Sequence, residues 1–255
     1  MTSTAVAKPG PGALVAQYKA DYAMVLPSHI NADQWVRVTQ GLLRKNAALA
    51  KVAQQNPGSL LSALLDCAHK GLEPGDTYHL VPMGGEIVGI TDWKGELELI
   101  YRAGSVASVT CEVVYENDEF EWHPGEMERP VHRPDWFAGD RGRMIGAYGY
   151  ATMKDGATSR VVVMSEADIM AVKKVSKTAG RSDSMWNVWP DRAWRKTIMH
   201  QLYKWIPSSA EYREQVRASA AAAEQVAPEL TEHAPALDYP DGDDQIIDAE
   251  IVDEP

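Results

Sequence analysis

The sequence predicts an α+β fold with a mainly antiparallel sheet, N-terminal helices and a C-terminal basic and aromatic helix. Three observations predict it. Apolar residues at helical spacing come first, before any strand pattern. The strand patterns that follow are joined by Gly-Gly and Asp-Gly turns, which suit antiparallel neighbours rather than long parallel crossovers. Helical spacing then returns in Trp186–Pro207, which holds four of the eight tryptophans beside four Lys/Arg.

Residues 1–12 are small and rich in Pro and Gly, and are expected to lack structure. Val15, Tyr18, Tyr22 and Val25 keep a helical spacing up to Pro27. A second helix is expected from Asn31, where Asn31 and Gln34 have capping-box spacing and Trp35, Val38 and Leu42 form the inner stripe. A third runs from Asn56–Pro57, a cap followed by proline at the first helical position, to Gly71. Leu60, Leu61, Leu64, Leu65 and Ala68 make it amphipathic. Gly71–Gly75 reads as a turn. Thr77–Pro82 and Glu86–Thr91 read as short strands around Gly84–Gly85.

Asp92 is placed to cap a helix ending at Gly104. Ser105–Tyr115 is valine-rich and alternates as a strand. Glu119–His123 and Met127–Arg133 are weaker strand patterns. Met144–Met153 and Ser159–Met164 flank Asp155–Gly156, the clearest hairpin signal in the chain. Ser165 with Asp168 opens a helix to about Val175. Ser176–Ser184 is a basic, polar loop. The core is expected over 13–207, an alanine-rich helix over 208–226, and an acidic tail without periodicity over 227–255.

In the Trp-rich segment Pro190 suits a first helical turn and Pro207 a stop. At about 100° per residue, Trp194, Ile198, Leu202 and Trp205 share one face, expected to be core. Arg192, Lys196, His200 and Lys204 follow at i+4 on roughly the opposite face, with Arg195 and Tyr203 close by. A positive stripe holding an aromatic ring suits a phosphate backbone with stacked bases. Solvated lysines on an ordinary surface helix fit the same pattern.

The net charge of −11 conceals a division. Residues 218–255 hold 11 Asp/Glu and no Lys/Arg, whereas residues 141–217 hold 14 basic and 7 acidic side chains. A positive segment ahead of an acidic tail fits a polyanionic partner. No run of 18 apolar residues is present, so no membrane span is expected. Cys67 and Cys111 are the only cysteines and read as reduced, buried thiols of a cytoplasmic protein.

Catalytic patterns are sparse. There is no GxxxxGK[ST] phosphate cradle, no HExxH and no Gly-x-Ser-x-Gly. A metal-dependent nuclease would need clustered carboxylates. Asp92-Trp93-Lys94 with Asp76 and Glu96 nearby is one candidate; helix capping by Asp92 and a solvated Lys94 is the alternative. The acidic run Glu112, Glu116, Asp118, Glu119, Glu121 is another, but alternation along strands would split it between faces.

Several segments together resemble the RecT family of phage single-strand annealing proteins. They are GLEP at Gly71–Pro74, HLVP at His79–Pro82, WKGELELIYRAG at Trp93–Gly104, VVYENDEFEW at Val113–Trp122, GAYGYATMKDG at Gly146–Gly156 and WRKTIMHQLYKWIP at Trp194–Pro207. Order and spacing fit over about residues 30–207, and the acidic end DDQIIDAEIVDEP is also similar. The resemblance implies an ATP-independent recombinase that coats single-stranded DNA left by a 5′–3′ exonuclease and anneals it to a complementary strand. It implies a core related to lambda Red beta, assembly as a ring or helical filament, and no required cofactor, Mg²⁺ being at most a modulator of annealing. It further implies a host single-strand-binding protein as partner, no membrane, and the cytoplasm of a bacterial host of a phage or prophage. Metal-dependent nuclease and passive single-strand-binding protein are the rival readings. On this resemblance Lys94, Arg102, Lys173, Lys174, Lys177, Arg181, Arg192, Arg195, Lys196, Thr197 and Lys204 are phosphate candidates. Trp93, Trp186, Trp189 and Tyr203 are stacking candidates. Carry-over is firmest at Lys94 in WKG and at Lys196–Thr197 in RKT; Trp93 departs from the family's more usual tyrosine.

Overall fold

The computed structural model describes residues 9–137 and 139–206, which fall into two compact units, one ending at Gly95 and one beginning at Glu96. The expected helix 208–226 and tail 227–255 lie outside the described residues. The mixed α+β class stands, with helices first and every strand pair antiparallel among the described residues.

In the first unit, α1 (Pro11–Gln17) opens inside the segment expected to lack structure. The single helix expected over 15–25 is two, because Tyr18 leaves helical geometry at φ −89°, ψ 16° before α2 (Lys19–Val25). Asn31 caps α3 (Ala32–Lys45), its Oδ1 accepting from Gln34 N–H at 3.0 Å. The buried stripe of α3 is Trp35, Val36, Thr39 and Leu43, shifted by one residue from the expected Val38 and Leu42. Two contacts hold that rotation: Trp35 Nε1 donates to Leu72 O at 2.9 Å, and the Tyr22 ring packs 5.2 Å from the Trp35 ring. Helix α4 (Ala47–Gln55) was not expected; Asn46 caps it by accepting from Leu49 N–H. Asn56 caps α5 (Pro57–Lys70), which ends at left-handed Gly71. Strands β1 (Tyr78–Met83) and β2 (Glu86–Thr91) pair around Gly84–Gly85 as expected.

The unit boundary falls within α6 (Trp93–Arg102). In the second unit β3 (Val106–Tyr115), β6 (Met144–Met153) and β7 (Val162–Ser165) form a sheet with β6 in the middle. β4 (Glu119–Glu121) and β5 (Val131–Arg133) make a separate two-stranded ribbon. The expected turn at Asp155–Gly156 is present, but β7 starts three residues late. Ser159 takes the place of a ladder residue: its N–H donates to Ala151 O, and its Oγ accepts from Ala151 N–H, both at 2.8 Å. Ser165 and Asp168 close a capping box on α7 (Glu166–Val175). A short α8 (Met185–Val188) leads to α9 (Pro190–Tyr203), with proline in its first turn.

One face of the β3–β6–β7 sheet is covered by α7 and α9. Val113, Ala147, Ile169, Val172, Trp186, Ala193, Trp194 and Ile198 form one buried cluster. Ile100, Val106, Ala151, Met199, Leu202 and Ile206 form another. Gly149 permits this packing: a Cβ there would stand 2.6 Å from Ile198 Cγ2, so the helix descends onto bare backbone. On the other face Phe120 and His132 of the β4–β5 ribbon pack against Tyr148, ring centroids 5.4 and 5.5 Å away.

Asp118 pins that ribbon. Its side chain is 1% exposed and accepts from Tyr115 N–H at 2.9 Å, His132 Nε2 at 3.0 Å, and Arg141 Nε and Nη2 at 2.9 and 2.6 Å. Burial pushes its carboxyl up, but these hydrogen bonds and the Arg141 charge outweigh burial and hold it at about 2. The acidic run is split, though by the turn between β3 and β4 rather than by strand alternation: the Asp118 side chain is buried among its donors, while Glu116, Glu119 and Glu121 are exposed.

Candidate nucleic-acid interface

Trp93 and Lys94 belong to the first unit. Asp92 Oδ1 accepts from Lys94 N–H at 3.0 Å, which caps α6, while Asp92 Oδ2 lies 3.4 Å from His79 Nε2. Lys94 Nζ pairs with Asp76 Oδ1 at 3.1 Å, both side chains more than half exposed. Trp93 is partly exposed. The glycine of the WKG motif is steric: a Cβ on Gly95 would stand 2.4 Å from Thr77 O. Asp92 therefore caps the helix from a largely buried position beside His79, and Lys94 sits in an exposed pair.

The remaining candidates belong to the second unit, and most surround α9. Helical spacing sets the facing, but the buried arc is wider than the sequence indicates. Ala193, Trp194, Thr197, Ile198, Met199 and Leu202 are all buried. Thr197 is core, its hydroxyl donating to Ala193 O at 2.8 Å, so the side chain does not reach a phosphate. Trp186 is also core, 3% exposed, and offers no ring face to a base. His200 leaves the positive stripe altogether: Nδ1 lies 2.8 Å from Glu96 Oε1 of α6, in a largely buried pair. Tyr203 is half-buried against the Ile100–Leu202 cluster.

Trp205 is the reverse case. The sequence places it on the core face, but it is 52% exposed. α9 ends at Tyr203, so the 100° step does not carry through Lys204 to Trp205, and Ile206 fills the core position instead. Pro207 carried that signal, since a helix ends at or before the residue preceding proline. The Arg160 guanidinium lies 3.9 Å from the centre of the Trp205 ring. Nothing local in the sequence pairs these two residues. At the other end of α9, Trp189 is 51% exposed and the Arg192 guanidinium lies 4.2 Å over its ring.

The other cations sort by partner. Arg195 is held by Asp191 at 3.0 Å and Glu112 at 3.4 Å. Arg102 pairs with Glu98 one turn away. Arg181 forms a two-toothed pair with Asp183, at 3.0 and 2.7 Å. Lys173 donates to Asn187 Oδ1 at 3.1 Å. Asn187 in turn donates to Ala179 O and Arg181 O, which fixes the basic loop against α8. Lys174, Lys177 and Lys204 are exposed and make no ion pair among the described residues. Lys196 is half-buried on the exposed stripe.

The interface that results is a narrow one. It has an exposed tryptophan with a guanidinium on it at each end of α9, about 21 Å of helix between them, and solvated lysines alongside. A guanidinium stacked on a ring presents a flat cation–π surface that accepts bases and phosphates together. Among the described residues, no group of three or more His, Cys, Asp or Glu is placed to hold a metal ion. No described helix is long and apolar enough to cross a membrane.

The model of the RecT family matches residues 33–236. The chain is also similar to Protein RecT of Escherichia coli (strain K12), 31% identical over 209 residues that cover 78% of this chain and 75% of the relative.

Proposed function

The chain belongs to the RecT family, and from that premise we propose that it binds single-stranded DNA and anneals complementary strands in homologous recombination, without ATP. The observation that carries the reading is the pair of half-exposed tryptophans, Trp189 and Trp205, each under a guanidinium, flanking a basic stripe. Stacking on aromatic rings is sequence-tolerant, and phosphate contacts through Arg and Lys carry no base information. Such a surface suits a protein that must hold any sequence.

Annealing needs no chemical fuel. Base pairing is itself downhill, with stacking on the order of 1.4 kcal/mol per base-pair step. The protein has to screen phosphate repulsion, keep bases accessible and concentrate two strands. No covalent bond is made or broken, so the activity is not enzymatic in the chemical sense. Copies assemble along the strand as a ring or helical filament, on DNA resected by a 5′–3′ exonuclease and shared with a host single-strand-binding protein. Mg²⁺ is not required and acts at most as a modulator. The work takes place in the cytoplasm of a bacterial host of a phage or prophage.

Mixing labelled complementary oligonucleotides without ATP tests this. Duplex should form faster with the protein than without it, and the labelled strands should stay intact when Mg²⁺ is added. Cleavage would make it a nuclease. Binding that slows pairing would make it a passive coating protein.

A further inference from the structure

The loop between β5 and β6 ends in an exposed aromatic pair: Trp136 is 59% and Phe137 97% exposed. The tip is held firmly at its base. The Arg141 guanidinium lies between the Tyr115 ring, at 4.2 Å, and the Trp136 ring, at 4.7 Å, and is locked to buried Asp118. Phe137 N–H donates to Asp135 Oδ1, and Gly142 N–H to Asp140 Oδ1, which tightens both ends of the turn. Trp136 held under Arg141, with an exposed Phe137 beside it, has the composition of an interface anchor.

The charge around the tip selects its partner. Residues 115–143 hold eight acidic and four basic side chains. Arg133, Arg141 and Arg143 pair with Glu119, Asp118 and Glu116 of the same lobe, and four cations against eight anions leave it a net charge of −4. This lobe repels a nucleic acid and suits a basic protein surface. Residues 173–204 of the same chain hold eight basic and two acidic side chains. The ribbon carrying the acidic lobe packs on the Tyr148 face of the β3–β6–β7 sheet, and the basic helices pack on the opposite face. The second unit is therefore polar from one sheet face to the other.

We infer that the Trp136–Phe137 tip and the acidic residues around it dock on the basic α7–α8 segment of a second copy of this chain. The inference deepens the assembly proposed above and rests on it. Lobe on lobe would set like charges face to face, and lobe and basic segment lie on opposite sheet faces, so the contact is head-to-tail. Such a contact leaves one free lobe and one free basic face at the ends, and repeats into a ring or a filament according to the rotation between copies.

Charge exchange tests it, with mass read by light scattering at low salt and without DNA. Glu116 lies against Gly142 at the end of the tip loop, Glu119 lies opposite Arg133 on the ribbon, and Lys174 and Lys177 lie in the basic segment; all four are exposed. E116K/E119K alone and K174E/K177E alone should each lose most of the parent's assembly. An equimolar mixture should recover the parent's mass, because the reversed lobe of one variant fits the reversed segment of the other. W136S/F137S should lose assembly alone, stay unassembled with E116K/E119K, and stop at a dimer with K174E/K177E, whose unaltered lobe still fits its unaltered segment. A parent that stays monomeric, variants that keep the parent's mass, or a mixture no larger than its components would overturn the inference. Because DNA is absent, a chain that assembles by these rules yet fails to pair oligonucleotides overturns the proposed function and leaves this interface standing. A chain that pairs them with assembly indifferent to the exchange does the reverse.

Discussion

Ile198 stands where a side chain at position 149 would have to go. A Cβ on Gly149 would lie 2.6 Å from Ile198 Cγ2 and 3.0 Å from Thr110 O. Gly149→Ala should cost about 1–3 kcal/mol by overpacking. That is a fall of roughly 2–4 °C in Tm per kcal/mol for a domain of this size class. Adding Ile198→Ala, which removes that Cγ2, should relieve the overpacking, although the lost side chain carries a cost of its own. Gly41→Ala, in α3 with nothing within 4 Å of the new Cβ, should be neutral or raise stability by up to about 1 kcal/mol. Thermal melts of the four proteins check the set, and a stable Gly149→Ala would place α9 further from the sheet.

Trp194 and Trp205 should separate folding from binding. Trp194 is 1% exposed, and its loss to Ala should cost about 3–5 kcal/mol of stability. Trp205→Ala should melt close to the parent but bind single-stranded DNA about 1–3 kcal/mol more weakly. Tyr203, half-buried against the core, should lose in both assays. Titrations and melts on one preparation decide it; equal melting losses at 194 and 205 would mean that Trp205 is core after all.

Asp118 should control acid stability. Its carboxyl titrates at about 2 in the fold against an ordinary 3.8. A depressed folded pKa gives stability that is fully present above the unfolded value and is lost as pH falls towards the folded one. The window is therefore from about pH 4 down to about pH 2, and the amount is roughly 2 kcal/mol. Asp118→Asn should flatten the pH dependence of Tm in that window. At neutral pH it should cost about 3–5 kcal/mol, since Arg141 and His132 lose the anion they share. A parent-like acid profile in the Asn variant would exclude this carboxylate as the source.

Among the basic side chains, partner state should predict the salt response. Lys204 is exposed without an ion pair among the described residues, whereas Arg181 is clamped by Asp183. Lys204→Ala should lower the slope of log affinity against log salt by about 0.7 for single strands. Arg181→Ala should lower it less, because Asp183 already offsets the charge. The slopes come from fluorescence titrations at several salt concentrations, and the reverse order would mean that DNA displaces Asp183.

The acidic end makes a separate prediction from sequence. Residues 218–255 carry 11 Asp/Glu and no Lys/Arg. If this end acts as a tethered polyanion that competes with DNA for the basic segment, deleting 227–255 should tighten binding at low salt, with the difference shrinking as salt screens it. Equal affinities at low salt would remove the competition.

Local signals read correctly; non-local ones did not. Asn31, Asn56 and Ser165 each cap the helix that the sequence assigns them, and Gly84–Gly85 and Gly156 turn where expected. Caps and turns are decided within four residues, which is the range of a sequence pattern. Asn46 offered the same cap signal for α4, but the short segment Ala47–Gln55 lacks a broad apolar stripe to announce it. The errors at the site have another origin. His200 is read from the spacing of one isolated helix and Trp186 from the family resemblance, and each is reassigned by a neighbour distant in sequence, whereas Thr197 is turned inward on its own helix with its hydroxyl on Ala193 O. His200 meets Glu96 of α6, and Trp186 enters a cluster with Val113, Ala147 and Ile169. Arg160 over Trp205 is likewise a product of the fold, joining a strand entry to the end of a helix.

The wide buried arc of α9 bears on how this protein could diversify. A helix that spends most of its girth in the core has little freedom to drift at the positions between its ends. Substitutions there would be filtered first for tolerance by the sheet beneath and only then for any effect on a ligand. Trp189 and Trp205, by contrast, sit just outside the helical turns and contribute little to that packing. Relatives with altered DNA preference should therefore vary at the two tips and in the lysines alongside, and a directed-evolution library placed there would retain far more folded members than one spread along the helix.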